Sequence, residues 1–217
     1  KCTWLKRSAG WLPAYSTSAL SGPCRYPKPP VRLGCTPVAL ASAICAFVRP
    51  GTPPVPLEEE RARVIPVLRE AVGMGVPVSV DTYKPQLMRE ALDLGADIIN
   101  DIWGLRQSGA VEAVLGHPHC GVCIMHMHGE PETMQRNPMP EAPADTAAKV
   151  RSFLEYQTKA LLMRGFDPAR IAWDPGIGFG KTVEQNLALL AHQRDLAAEH
   201  PLVLGWSRKS SLGNVSG

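Results

Sequence analysis

Ile171-Ala-Trp-Asp-Pro-Gly-Ile-Gly-Phe-Gly-Lys181 passes from a short apolar run through an acid into a glycine-rich turn, and a helical pattern starts at Val183. An acid at a strand exit, followed by glycines, lets backbone N–H groups approach a ligand closely. The nucleotide P-loop is the first pattern to test. It requires four residues between its first Gly and the closing Gly-Lys-Thr or Gly-Lys-Ser. Here three residues separate Gly176 from Gly180, and the position before Gly176 is Pro175. Proline has no N–H to offer a phosphate. The phosphate cradle fails on spacing, so Asp174 becomes the residue to explain.

Outward from this stretch the chain alternates. Residues 57–74 carry Val64, Val67, Leu68, Ala71 and Val72 at helical spacing. Residues 77–81 read as a strand, 84–94 as a helix with Leu87, Met88, Ala91 and Leu92 on one side, 97–100 as a strand and 110–115 as a short helix. Strand 121–127, helix 147–164, strand 171–174, helix 183–198 and strand 202–206 follow. Five strands alternating with helices through short turns predict an α/β fold with a parallel sheet. A closed barrel and an open doubly wound sheet both satisfy the alternation. Asp81, Asn100, His126, Asp174 and Ser207 each end a different strand. One polar contribution per strand is the pattern of a (β/α)₈ TIM-type barrel, whereas an open sheet gathers its ligand groups at one switch point. The expected fold is therefore a barrel of this type, incomplete, with about five clear β/α units.

Charge is unevenly distributed. The chain of 217 residues has a formal net charge of +3, 20% charged residues and 6% aromatics, ordinary for a globular protein. The first 57 residues contain seven Lys or Arg and no acid, while the remainder sets sixteen Lys or Arg against twenty acids, a balance of −4. The basic excess thus gives no support for a nucleic-acid groove in the folded part. No apolar run is long enough to cross a membrane as a helix. The acid-free segment also holds Cys2, Cys24, Cys35 and Cys45. It has three readings: an organellar transit peptide, a disordered basic arm, or a segment translated in a different frame.

Taken together, Ser79-Val-Asp-Thr82, Ile98-Ile-Asn-Asp101, Met125-His-Met-His-Gly129, Asp174 to Lys181 and Ser207-Arg-Lys-Ser210 resemble the dihydropteroate synthase family. The resemblance begins near Val48-Arg-Pro-Gly51 and runs to the last residue. It implies a TIM barrel, and an activity that condenses a dihydropterin methyl diphosphate with p-aminobenzoate, releasing pyrophosphate. It also implies Mg²⁺ on the diphosphate, small-molecule partners, a cytoplasmic location and a homodimer. By resemblance, Asp81, Asn100 and Asp174 hold the pterin edge, Lys209 contacts the ring, and Met125 and Phe179 supply apolar walls. Arg49, Pro50, Ser207 and Arg208 serve the aminobenzoate and the departing anion, so that Lys209, Asp174 and Arg49 carry the catalytic expectation. The chemistry agrees: a flat ring edge of donors and acceptors needs matching side chains, because unmatched buried polar groups are costly. Two other readings remain, a pterin-binding fragment without turnover and a barrel that moves a methyl group from a folate to a corrinoid.

Other features are read as structural. His117, His119, Cys120, Cys123, His126 and His128 invite a zinc site, but Cys120-Gly-Val-Cys123 enters a strand and no second pair follows at finger spacing. Core cysteines and loop histidines are expected instead. Met134 and Met139 fall in a Pro-rich loop and are expected to pack locally or line a lid.

The family opens with a strand and an Asn-bearing loop, and then a second strand before Arg-Pro-Gly; neither is read here. Residues 1–47 are accordingly expected to be unrelated to the domain, translated out of frame, with a partial pterin-binding barrel over 48–217. The family's last strand, with its Arg-x-His, is also not found after Ser207-Arg-Lys-Ser210. The expectation for the isolated chain is a pterin pocket lacking much of its anion site, with poor solubility and little turnover.

Overall fold

In a computed structural model, residues 3–4, 43–45 and 54–205 are described. Their strands are β1 (Thr3–Trp4), β2 (Ala43–Cys45), β3 (Ser79–Asp81), β4 (Ile98–Asp101), β5 (Gly121–Met125), β6 (Ile171–Asp174) and β7 (Val203–Leu204). The helices are α1 (Leu57–Val72), α2 (Pro85–Asp93), α3 (Ala110–Leu115), α4 (Pro143–Leu162), α5 (Val183–Ala191) and α6 (Gln193–Leu196).

Strands β2 to β6 form one parallel sheet whose spatial order is their chain order. A parallel bridge between Trp173 and Leu202 continues that order toward β7. Strand β1 pairs antiparallel with β7. A doubly wound sheet reverses direction at a switch point, whereas a sheet that adds each strand beside the last is the barrel type. The α/β class read from the sequence therefore holds, with the five predicted strands present as β3 to β7. Strand β2 stands before Arg49-Pro50-Gly51, where the sequence predicts none, because three residues inside the longer apolar run 38–48 carry no alternation of their own.

Side chains sort by strand parity. Val80, Ile99, Val122, Ile124, Ile171 and Trp173 point to the large core, where they meet Leu68, Leu87, Met88, Val114, Leu154 and Leu189 from the helices. The alternate residues Ile98, Cys123 and Ala172, with Val203, form a separate cluster that contains no helix residue. Helices thus cover one face, and the other carries its own layer of strand side chains.

The helix ends follow local chemistry. Helix α1 has Glu58, Glu59 and Glu60 in its first turn, where acids suit the positive end of the dipole. Helix α2 starts on Pro85 and buries Leu87, Met88, Ala91 and Leu92, the predicted face. Helix α4 begins at Pro143, a turn before the predicted Ala147, because proline is favoured in a first turn. A capping box between Thr182 and Gln185 opens α5. The predicted helix 183–198 is interrupted at His192, whose backbone leaves the helical region and starts α6, and Leu196 is brought into the core. No described helix is long and apolar enough to cross a membrane.

Candidate active site

Strand register assembles the site. Asp81 lies beside Asn100, and Asn100 beside Cys123. Met125 lies beside Asp174, two residues beyond the Cys123–Ala172 pair. Residues two apart on a strand share a face. Asp81, Asn100, Met125 and Asp174 therefore share the helix-free face with Ile98, Cys123 and Ala172, at the carboxyl ends of four adjacent strands. Met125 and Asp174 are both buried. Phe179 packs on the same small apolar cluster as Met125, together with Ile102, Met127, Met134, Tyr83 and Trp103. The two expected apolar walls are thus brought together. Arg49, Pro50, Ser207, Arg208 and Lys209 lie outside the described residues, as do the apolar run's ends and most of residues 1–47.

His126 departs from the expected pattern. One residue past Met125, it turns to the opposite face and meets Phe153 of α4 edge-on, with ring centroids 5.0 Å apart. Parity separates Cys120 and Cys123 likewise, since Cys120 belongs to the helix-covered core and Cys123 to the inner cluster. Met134 and Met139, read as packing or lid residues, are buried.

The glycine-rich turn works differently from its sequence reading. Gly176, Gly178 and Gly180 all adopt positive φ, at 68°, 79° and 67°. Two of the three N–H groups are already engaged within the protein. Gly176 N–H donates to Asp174 Oδ1 at 2.7 Å and Gly178 N–H to Asn186 Oδ1 at 2.9 Å. What the glycines supply is room: a Cβ on Gly176 would sit 1.8 Å from the His126 carbonyl oxygen, and one on Gly180 2.3 Å from that of His128. Buried Lys181 then joins the two loops, its Nζ donating to the carbonyls of Gly176 (2.9 Å), Phe179 (3.2 Å) and His126 (3.3 Å). The lysine that mimics a phosphate ligand in sequence is a brace.

The loop after β4 is equally constrained. Asp101 is fully buried, and its two carboxyl oxygens accept from Trp103 N–H and Leu105 N–H, each at 2.8 Å. These bonds hold Gly104 and Leu105 at φ 62°. Arg106 lies over the Trp103 ring, 5.0 Å from its centroid. Tyr83, Trp103 and Arg106 went unnoticed in the sequence because each is a lone residue in a turn.

Two buried groups titrate in opposition. Burial, reinforced by Lys181 and Arg106, depresses the His126 imidazole to about 2. Burial raises the Asp101 carboxyl to about 7, against its two backbone hydrogen bonds and with Asp81 nearby adding to the rise. For His126, the stability is fully present above its ordinary value of 6.5 and is lost as pH falls. For Asp101, the stability is present below its ordinary value of 3.8 and is lost as pH rises through about 7. Between roughly pH 4 and 6.5 the two slopes, each up to about 1.4 kcal/mol per unit, oppose one another. His126→Phe removes one of them. The variant is expected to gain on the parent protein by 1 kcal/mol or more, an order-of-magnitude figure, as pH falls from about 6.5 to 4.5. Urea unfolding at a series of pH values reads this directly; parallel curves would contradict it.

Among the described residues, no group of three or more His, Cys, Asp or Glu side chains is placed to hold a metal ion. The described residues therefore offer no side-chain set for a resident Mg²⁺.

Residues 45–217 match the family model described as pterin binding enzyme. Dihydropteroate synthase of Neisseria meningitidis serogroup C is 44% identical over 172 residues, covering 78% of this chain and 60% of that protein. The Burkholderia cenocepacia dihydropteroate synthase complexed with 7,8-dihydropteroate superposes with a TM-score of 0.70 at 49% identity, over 78% of this chain and 62% of that one. The Xanthomonas albilineans enzyme with 4-aminobenzoic acid gives a TM-score of 0.71 at 42% identity, over 79% and 60%. The chain spans about three-fifths of the length of the curated relative from Neisseria.

Proposed function

The chain belongs to the pterin binding enzyme family, and from that premise we propose that it carries the pterin side of a dihydropteroate synthase. The reaction joins a 6-hydroxymethyl-7,8-dihydropterin diphosphate to p-aminobenzoate, giving 7,8-dihydropteroate and pyrophosphate. The observation that carries this reading is the shared inner face of Asp81, Asn100 and Asp174, in a fold similar to a synthase bound to 7,8-dihydropteroate.

In this reading the three polar side chains match the donors and acceptors of the ring edge, between the Met125 and Phe179 walls. The methylene–oxygen bond breaks, the diphosphate leaves with the bonding electrons, and positive charge develops on the methylene carbon. The arylamine lone pair forms the new carbon–nitrogen bond, and the nitrogen then loses a proton. Fixed charges and dipoles around the developing charge contribute more than acid–base transfer. Arg49, Pro50, Ser207 and Arg208 serve the aminobenzoate and the anion, and Lys209 the ring. Mg²⁺ would accompany the diphosphate, both substrates would be met in the cytoplasm, and the chain would pair with a second copy, as the family resemblance implies.

The test is a turnover assay of the intact chain with both substrates and Mg²⁺, following pyrophosphate release. Formation of dihydropteroate dependent on both substrates supports the synthase. Saturable pterin binding without turnover would select a binding fragment instead, and methyl transfer from a folate to a corrinoid would replace the reading altogether.

A further inference from the structure

Behind Asp81 lies a buried polar cluster that the reaction does not use. Glu60, on the first turn of α1, is 2% exposed, unlike its exposed neighbours Glu58 and Glu59. Its Oε1 accepts from Thr82 Oγ1 at 2.6 Å, and its Oε2 accepts from Lys84 Nζ at 2.5 Å. Thr82 Oγ1 in turn accepts from Lys84 N–H at 3.2 Å. Lys84 Nζ also donates to the carbonyl of Val55, in the segment that enters α1. The Lys84 ammonium lies 5.6 Å from the centroid of the Tyr83 ring, and Tyr83 packs on the cluster that holds Met125 and Phe179.

Packing alone gives no reason for this arrangement. A buried ion pair is often replaceable by apolar residues of similar volume without loss of stability. A helix-entry acid is ordinarily solvated. Here one acid is drawn inward, and its side-chain hydrogen bonds go to the two residues at positions one and three beyond Asp81. A hydroxyl and an ammonium thereby fix the direction in which β3 leaves the sheet, and with it the aim of the Asp81 side chain.

We infer that Glu60, Thr82 and Lys84 form a clamp that positions Asp81 and Tyr83 for the heterocycle, tying the pterin edge to the segment that enters α1. The inference rests on the pterin reading proposed above. None of the three residues need touch the ligand; they are positioning residues, acting through Asp81.

The clamp is tested by titrating 7,8-dihydropteroate into the intact chain and into Lys84→Met, Asp81→Asn and the double variant, with an unfolding midpoint for each. Lys84→Met keeps most of the apolar stem and removes the donors. It is expected to weaken binding about tenfold, and to add nothing in the Asp81→Asn background, because residues acting as one unit are not additive. Lys84→Arg, which restores a cation and donors, is expected to recover most of the affinity. A lowered midpoint with unchanged affinity, or losses that simply multiply in the double variant, would overturn the clamp. If Lys84→Met does not fold, Glu60→Gln, which keeps an acceptor oxygen and the side-chain shape, carries the same comparison. Absence of binding by the unsubstituted chain overturns the pterin reading, and the clamp with it. Binding that is indifferent to Lys84 and Glu60 overturns the clamp alone.

Discussion

Replacing Gly176 with alanine is expected to destabilise the chain by more than about 4 kcal/mol, an effect at the extreme of single substitutions. Two costs combine. The backbone there has a φ of 68°, a left-handed conformation that disfavours any Cβ by roughly 1–2 kcal/mol. The larger cost is space, since the new methyl would stand 1.8 Å from the His126 carbonyl oxygen. That carbonyl cannot withdraw readily: it accepts from Lys181 Nζ, and His126 N–H donates to the Asp174 carbonyl at 3.0 Å. Gly165 supplies the control. Its φ is 84°, but nothing lies within 4 Å of an added Cβ. Gly165→Ala should therefore show only the conformational cost, roughly 1–2 kcal/mol. Equal urea midpoints for the two variants would contradict this account of the turn.

Asp174→Asn is expected to do the reverse, leaving the fold in place while weakening pterin binding about a hundredfold, or about 3 kcal/mol. Asp174 Oδ1 accepts from Gly176 N–H, and an asparagine oxygen keeps that bond. The rest of the group changes from an acceptor with negative charge to an amide donor. Against the N–H groups of the pterin edge proposed above, this loses a charge-assisted bond and sets donor against donor. The check is an unfolding midpoint close to that of the parent protein beside a titration with 7,8-dihydropteroate. A variant that unfolds would move Asp174 from ligand binding to loop architecture; one that binds normally would remove it from the pocket.

Periodicity made the alternating elements legible, and for α2 it gave the buried face residue by residue. Strand-end polarity grouped Asp81, Asn100 and Asp174, and the register sets all three on one face, because parity and register act on all three alike. The same signal misassigned His126, since proximity to a strand end does not say which face a side chain takes. The glycine turn is only partly legible for a related reason. Sequence shows that glycines are present, but not whether the space they leave holds a ligand or another carbonyl. Glu60 was invisible as one of three consecutive acids at a helix start; only its contacts across 22 and 24 residues distinguish it. Lys181 and Trp103 are likewise defined by what packs around them rather than by any local pattern.

If the inner-face polar groups serve a pterin edge, as proposed, Asn100 is the residue at which it shows. Asn100 Oδ1 is buried with no hydrogen-bond partner among the described residues. A buried acceptor left unmatched is a cost to the free protein, and one that a ligand donor removes. The decisive measurement is calorimetric titration of 7,8-dihydropteroate into the intact chain and into Asn100→Ala, with thermal unfolding of both ligand-free proteins. The expected result is one-site binding by the parent protein, at least tenfold weaker binding by the variant, and a ligand-free variant as stable as its parent or more so. A variant that is less stable yet binds dihydropteroate with unchanged affinity would contradict it.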